Sequence, residues 1–126
     1  MTESKSLPLL REVITKQVFD RELGAVSAEL NFPPDFAAFA GHFPGQPVLP
    51  AVIQLVVVRV LAGKLLQVPL EMVKTGRMKF KGMIKPDEVV QVQVTLSKID
   101  GQWHAAFKLS KLDVAVSSGT IIFAAR

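Results

Sequence analysis

A histidine held in a proline-rich connector is the side chain best equipped for chemistry in this 126-residue chain. His42 stands in Gly41-His42-Phe43-Pro44-Gly45-Gln46-Pro47-Val48-Leu49-Pro50-Ala51-Val52, where Pro44, Pro47 and Pro50 deny the backbone both helix and sheet ladder. An imidazole on so stiff a connector can take or give a proton near neutral pH. The alternative is a loop histidine that only satisfies turn backbone groups. Pro50 suits the first turn of a helix, where its missing N–H costs nothing. The N–H groups of Ala51 and Val52 would then face whatever the loop holds.

Positioning such a group requires a helix after it and a sheet around it. Residues 50–66 carry Val56-Val57-Val58 and Val60, which favour a strand, but seventeen residues exceed an ordinary strand and Pro69 bars continuation. The segment is therefore expected to be a helix. It is apolar on nearly every side and must be enclosed, each buried Val or Leu contributing about 1.5–3 kcal/mol. Before it, residues 13–19 read as a strand, 20–24 as a turn, and Val26, Ala28, Leu30 and Phe32 alternate with polar residues as a half-buried strand does. Pro33-Pro34-Asp35 closes this hairpin. After it, 72–83 reads as a strand ending at the turn Lys85-Pro86-Asp87-Glu88, and Val90, Val92, Val94 and Leu96 alternate. Asp100-Gly101 is a hairpin turn, Trp103, Ala105, Phe107 and Leu109 share a face, and 114–124 is the last strand. The pattern predicts an α+β protein, a four-strand antiparallel meander wrapped round one long helix, as one domain over residues 1–126.

Composition narrows the chemistry. Zero cysteines exclude disulfides and a thiolate nucleophile, and two distant histidines leave no zinc site. His104 falls on a polar strand face with Lys108, and Trp103 and Phe107 read as core. The most apolar stretch, 48–66, is interrupted by Gln54, Arg59 and Lys64, so no membrane span is expected; the first residues lack a signal peptide's apolar region, which predicts a cytoplasmic protein. A hydrophobic content of 49% calls for burial against a second copy. The net charge of +4 is uneven, with Lys74, Arg77, Lys79, Lys81 and Lys85 close together. Alternation places Arg77, Lys79 and Lys81 on one strand face and Met78 and Phe80 on the other. Without interleaved aromatics or a binding motif, this face fits a small acidic protein better than nucleic acid; its plainest reading is a solvated face guarding a sheet edge.

The motif from Gly41 to Val52 resembles the G-H-F-P-G-x-P-x-x-P-G-V stretch of the hotdog-fold 3-hydroxyacyl-acyl-carrier-protein dehydratases of fatty-acid synthesis. Met78-Lys79-Phe80-Lys81 followed by Lys85-Pro86-Asp87 is similar to a second stretch of that family, and Ile53-Gln54-Leu55 resembles its aryl-polyene-type branch. The resemblance implies a curved antiparallel sheet around a central helix, a homodimer or higher homo-oligomer with sites at the protomer interface, and no cofactor. The substrate would ride on the phosphopantetheine of acyl carrier protein or coenzyme A. His42 would be the catalytic base, and Phe43, Pro50, Ala51, Val52 and Val56 would bind substrate, with the Ala51 N–H polarising the thioester carbonyl. Arg77, Lys79 and Lys81 would dock the carrier protein.

Two positions depart from the family pattern. Ala51 stands where the family has Gly, which narrows the approach to its amide. Val56 stands fourteen residues after His42, where the family carries, on the central helix of the other protomer, the Asp or Glu that protonates the departing hydroxyl. Gln54 points about 160° away from Val56 round a helix, and Arg59, about 60° away, cannot give up its proton. Three outcomes remain open: a dehydratase using water or a partner's acid, a binding subunit for acyl chains or carrier protein that completes its site in a mixed dimer, and a thioesterase, for which the same helix offers no carboxylate.

Overall fold

The computed structural model describes residues 10–39 and 47–126 and contains one six-stranded antiparallel sheet and one long helix. A four-residue helix α1 (Leu10–Val13) leads into β1 (Ile14–Asp20), which pairs with β2 (Ala25–Asn31). The long helix α2 (Ala51–Leu66) follows, then β3 (Leu70–Phe80), β4 (Val89–Ile99), β5 (Gln102–Lys111) and β6 (Val114–Ala125).

The strand period of two decides which face meets the helix. Val26, Ala28 and Leu30 of β2 lie opposite Val94, Val92 and Val90 of β4, and all six are buried. On β5, Ala105, Phe107 and Leu109 continue that face. Against it α2 lays Val57, Val58, Leu61, Ala62 and Leu65. This is the expected hotdog arrangement of a sheet around a central helix. The Asp100-Gly101 turn has both residues at positive φ (51° and 80°), the twist a two-residue hairpin needs.

Three expectations are corrected. The sheet order is β1-β2-β4-β5-β6-β3, so the meander comprises only β4, β5 and β6, while β3 crosses to the far edge and pairs with β6. Strand β3 ends at Phe80 rather than Met83, because Lys81 and Gly82 both turn their N–H groups onto the Val116 carbonyl. Helix α2 is enclosed on one side only: Val52 is 60% exposed, and Arg59 and Lys64 are exposed. Among the described residues no helix is long and apolar enough to cross a membrane.

Candidate active site at the start of the long helix

Both approaches to the histidine loop are firmly anchored. On the upstream side Phe32, Phe36 and Phe39 pack edge to face with ring centroids 4.9–6.4 Å apart. A single 3-10 turn (Ala37–Phe39) is closed by the Phe39 N–H on the Phe36 carbonyl. On the downstream side buried Leu49 donates its N–H to the Ile84 carbonyl at 2.8 Å. His42 and Phe43 themselves lie outside the described residues.

Past Leu49 the chain enters α2 without a side-chain cap. Pro50 occupies the N-cap position at φ −62°, ψ 146°, and its carbonyl takes the Ile53 N–H at 3.1 Å. The N–H groups of Ala51 and Val52 have no intrahelical acceptor, and both residues are exposed. Together with the positive end of the helix dipole, these two amides favour a partial negative charge placed against them. The first turn carries no acidic side chain to compete for that place.

Further along, Val56 is half-buried on the open flank of α2, and Gln54 is turned into the core at 3% exposure, as the helical angle between them predicts. The Gln54 side-chain carbonyl oxygen and the buried Ser117 hydroxyl have no hydrogen-bond partner among the described residues. Ser117 lies on β6 opposite Phe80, a buried polar position that the Ser117-Ser118-Gly119 run did not single out in the sequence. The helix sequence contains no carboxylate, and Arg59 is exposed.

The basic residues are exposed. Lys79 faces away from the core opposite Ser118, while Met78 and Phe80 face inward, matching the expected alternation. Arg77 departs from it, since it falls in a register irregularity between Thr75 and Met78, and Lys81 lies beyond the strand end. None of the three has an ion-pair partner among the described residues. Gly119 explains the local crowding: a Cβ there would lie 2.6 Å from the Met78 side chain and 2.8 Å from the Arg77 carbonyl. On β5, His104 is half-buried, pairs with Ser97 and Ile122, and alternates with buried Ala105.

One ionic clamp supports the segment that pins Leu49. Lys111 donates to the Met83 carbonyl (2.7 Å) and to the Glu88 carboxylate (3.0 Å), which also accepts the Lys85 N–H at 2.7 Å. Burial acts to raise the Glu88 pKa, but the Lys85 amide and the Lys111 ammonium outweigh it and hold the group below its ordinary 4.5. A lowered carboxylate contributes stability that is present above its unfolded-state pKa and lost as pH falls through the folded one. Glu88→Gln is therefore expected to flatten the acid limb of the stability profile below about pH 4.5. Lys111→Met should cost about 1 kcal/mol at neutral pH, since both groups are partly solvated. Urea unfolding across pH checks both, and identical acid limbs in wild type and Glu88→Gln would remove the carboxylate from this account.

Comparison with known proteins places these features in context. Residues 18–120 match the ApeI-like family, described as ApeI dehydratase. The 3-hydroxyacyl-(acyl-carrier-protein) dehydratase FabZ of Chlamydia trachomatis serovar L2 is 31% identical over 98 residues, covering 71% of this chain and 64% of the relative, so the chain spans just under two thirds of that protein. The FabZ of Oenococcus oeni is 29% identical, covering 90% of each. Among solved structures, a chain of the dehydratase heterocomplex ApeI:P from Xenorhabdus doucetiae superposes with a TM-score of 0.69 at 25% identity, covering 82% of this chain and 89% of that one.

Proposed function

The chain belongs to the ApeI-like dehydratase family, and on that premise we propose that it acts on 3-hydroxyacyl thioesters of fatty-acid or polyene-type lipid biosynthesis, carried on acyl carrier protein. The observation that carries this reading is the start of α2 without a side-chain cap, where the N–H groups of exposed Ala51 and Val52 have no intrahelical acceptor, at the end of the motif that holds His42. His42 takes the proton from the carbon next to the thioester carbonyl. The carbonyl oxygen gains charge as that bond breaks, and the Ala51 N–H with the helix dipole stabilises it. The bond to the 3-hydroxyl then breaks and the double bond forms. The leaving oxygen needs a proton, which the methyl groups of Val56 cannot give, so it comes from water or from the imidazolium of His42.

Turnover by this chain alone is accordingly slow, and a second chain bringing a carboxylate to the Val56 position completes a site. Exposed Arg77, Lys79 and Lys81 fit an acidic carrier protein. The absence of a carboxylate from α2 also favours a second reading, a subunit that binds acyl chains or carrier protein without chemistry. A coupled assay with 3-hydroxyacyl substrates on carrier protein and on coenzyme A, run alone and with candidate partner subunits, separates the two. A slow rate that falls at least about 10-fold in His42→Ala, and rises in the mixture, is expected. Fast turnover that His42→Ala leaves intact would end the proposal, whereas carrier-protein binding with no turnover in any mixture would establish the second reading.

A further inference from the structure

A cavity of about 440 Å³ opens between the second half of α2 and the residues that lead into β3, and its rim is cationic. Arg59 and Lys64 border it from the helix and Arg126 from the far side, with Gln67 between them and Val60 and Val68 as apolar wall. Two backbone bonds tie these segments together: the Val68 N–H donates to the Gly63 carbonyl (3.2 Å) and the Arg126 N–H to the Pro69 carbonyl (3.0 Å). Among the described residues that line the cavity none is acidic, and neither Arg59, Lys64 nor Arg126 has an ion-pair partner among the described residues. Lys64 donates to the neutral Gln17 side-chain carbonyl at 3.2 Å. A carboxylate ending the chain at Arg126 would offset one of the three charges and leave two. Lys64 stands in the last turn, where a cation suits the negative end of the helix dipole. Arg59 stands about two turns from that end, beyond the reach of this effect, so its charge is unanswered. Like charges round one cavity repel one another until an anion joins them.

The cavity lies on the flank of α2 that carries Val56. At about 100° per residue, Gly63 and Gln67 point within about 20° of Val56, Val60 within about 40° and Arg59 within about 60°. At about 1.5 Å per residue, the cavity begins about 5 Å beyond Val56 at Arg59 and reaches Gly63 at about 10 Å. Val52 is exposed, Val56 and Val60 are half-buried, and all three are apolar. A chain lying along this flank therefore meets methyl groups first and cations after them. An extended chain advances about 3.5 Å per three bonds, so the cavity stands roughly four to nine bonds from a group that reacts beside Val56. That span falls within an acyl chain. The phosphate of a phosphopantetheine arm, more than a dozen bonds from the thioester sulfur, lies out of range.

We propose that this cavity receives a carboxylate at the far end of the acyl chain, so that the protein selects medium-length thioesters ending in a carboxylate over methyl-ended ones, with Arg59 reading the charge. A guanidinium suits that task because it stays protonated and can meet both carboxylate oxygens at once. The inference rests on the thioester reading given above, with the Val56 flank facing the site of a second chain. Calorimetric binding of two acyl coenzyme A ligands about ten carbons long, one ending in a carboxylate and one in a methyl group, tests it without turnover. Both ligands share the nucleotide and the pantetheine arm, so the contribution of those phosphates cancels in the ratio. The carboxyl-ended chain should bind about 10-fold tighter, and the preference should shrink as salt is raised. Arg59→Gln should bring the ratio to within about 2-fold, and Arg59→Glu should reverse it by setting like charges together. Arg59 is exposed, so neither substitution disturbs the core. Equal binding of the two ligands by wild type, or a preference that Arg59→Gln leaves intact, overturns the proposal while the thioester reading stands. Failure of both ligands to bind overturns the two together.

Discussion

Val56→Asp is expected to accelerate interconversion of 3-hydroxyacyl and enoyl thioesters by about 10²–10⁴-fold, the range over which a positioned general acid acts. Val56 lies half-buried on the open flank of α2, so a carboxyl there stands outside the core, where it can face the His42 site of a second copy. Partial burial raises a carboxyl's pKa and keeps a larger share of it protonated, which is the form that donates. Val56→Asn has nearly the same shape as the aspartate variant but holds its protons on an amide, and should gain far less. Following the loss of enoyl absorbance on hydration of a carrier-bound or coenzyme A thioester checks both variants. A folded Val56→Asp chain no faster than wild type, or a gain that survives His42→Ala, would separate Val56 from the chemistry.

Residues with strictly local instructions were legible in the sequence. Alternation of Val90, Val92 and Val94 set strand β4 and its buried face, and Asp100-Gly101 set the turn after it, because period-two patterning and a left-handed turn act within a few residues. The helix 50–66 emerged as Ala51–Leu66, closed by Gln67 at φ 60° with its N–H on the Gly63 carbonyl. What escaped depended on partners distant in the chain. Nothing local says that β3 crosses the sheet to pair with β6, and the second tight turn uses Leu112 and Asp113 at positive φ, where leucine gives no turn signal. Leu112 is also left 95% exposed there, the opposite of what its side chain alone would suggest. The site divides in the same way: the start of α2 could be read from Pro50, but the open flank bearing Val56 became visible only once α2 lay on the sheet.

Ala51→Pro removes one N–H from the site while leaving the helix able to form, and should lower thioester turnover by about 10²–10³-fold, the loss seen when one oxyanion donor is deleted. Proline is well suited to the first helical position, where its absent donor is one the helix leaves unpaired. It also restricts the preceding residue to extended conformations, and Pro50 already holds φ −62°, ψ 146°. Stability should therefore stay within about 1 kcal/mol of wild type by urea unfolding. Introduced into the Val56→Asp chain, where the rate is high enough to measure a large fall, the substitution isolates the amide from the acid. Ala51→Gly, which keeps the N–H and widens the approach, should retain the rate of its parent. If Ala51→Pro unfolds normally and turns over as fast as Ala51→Gly, the helix amide does not stabilise the thioester oxygen, and the reaction draws its electrostatic support from elsewhere in the chain.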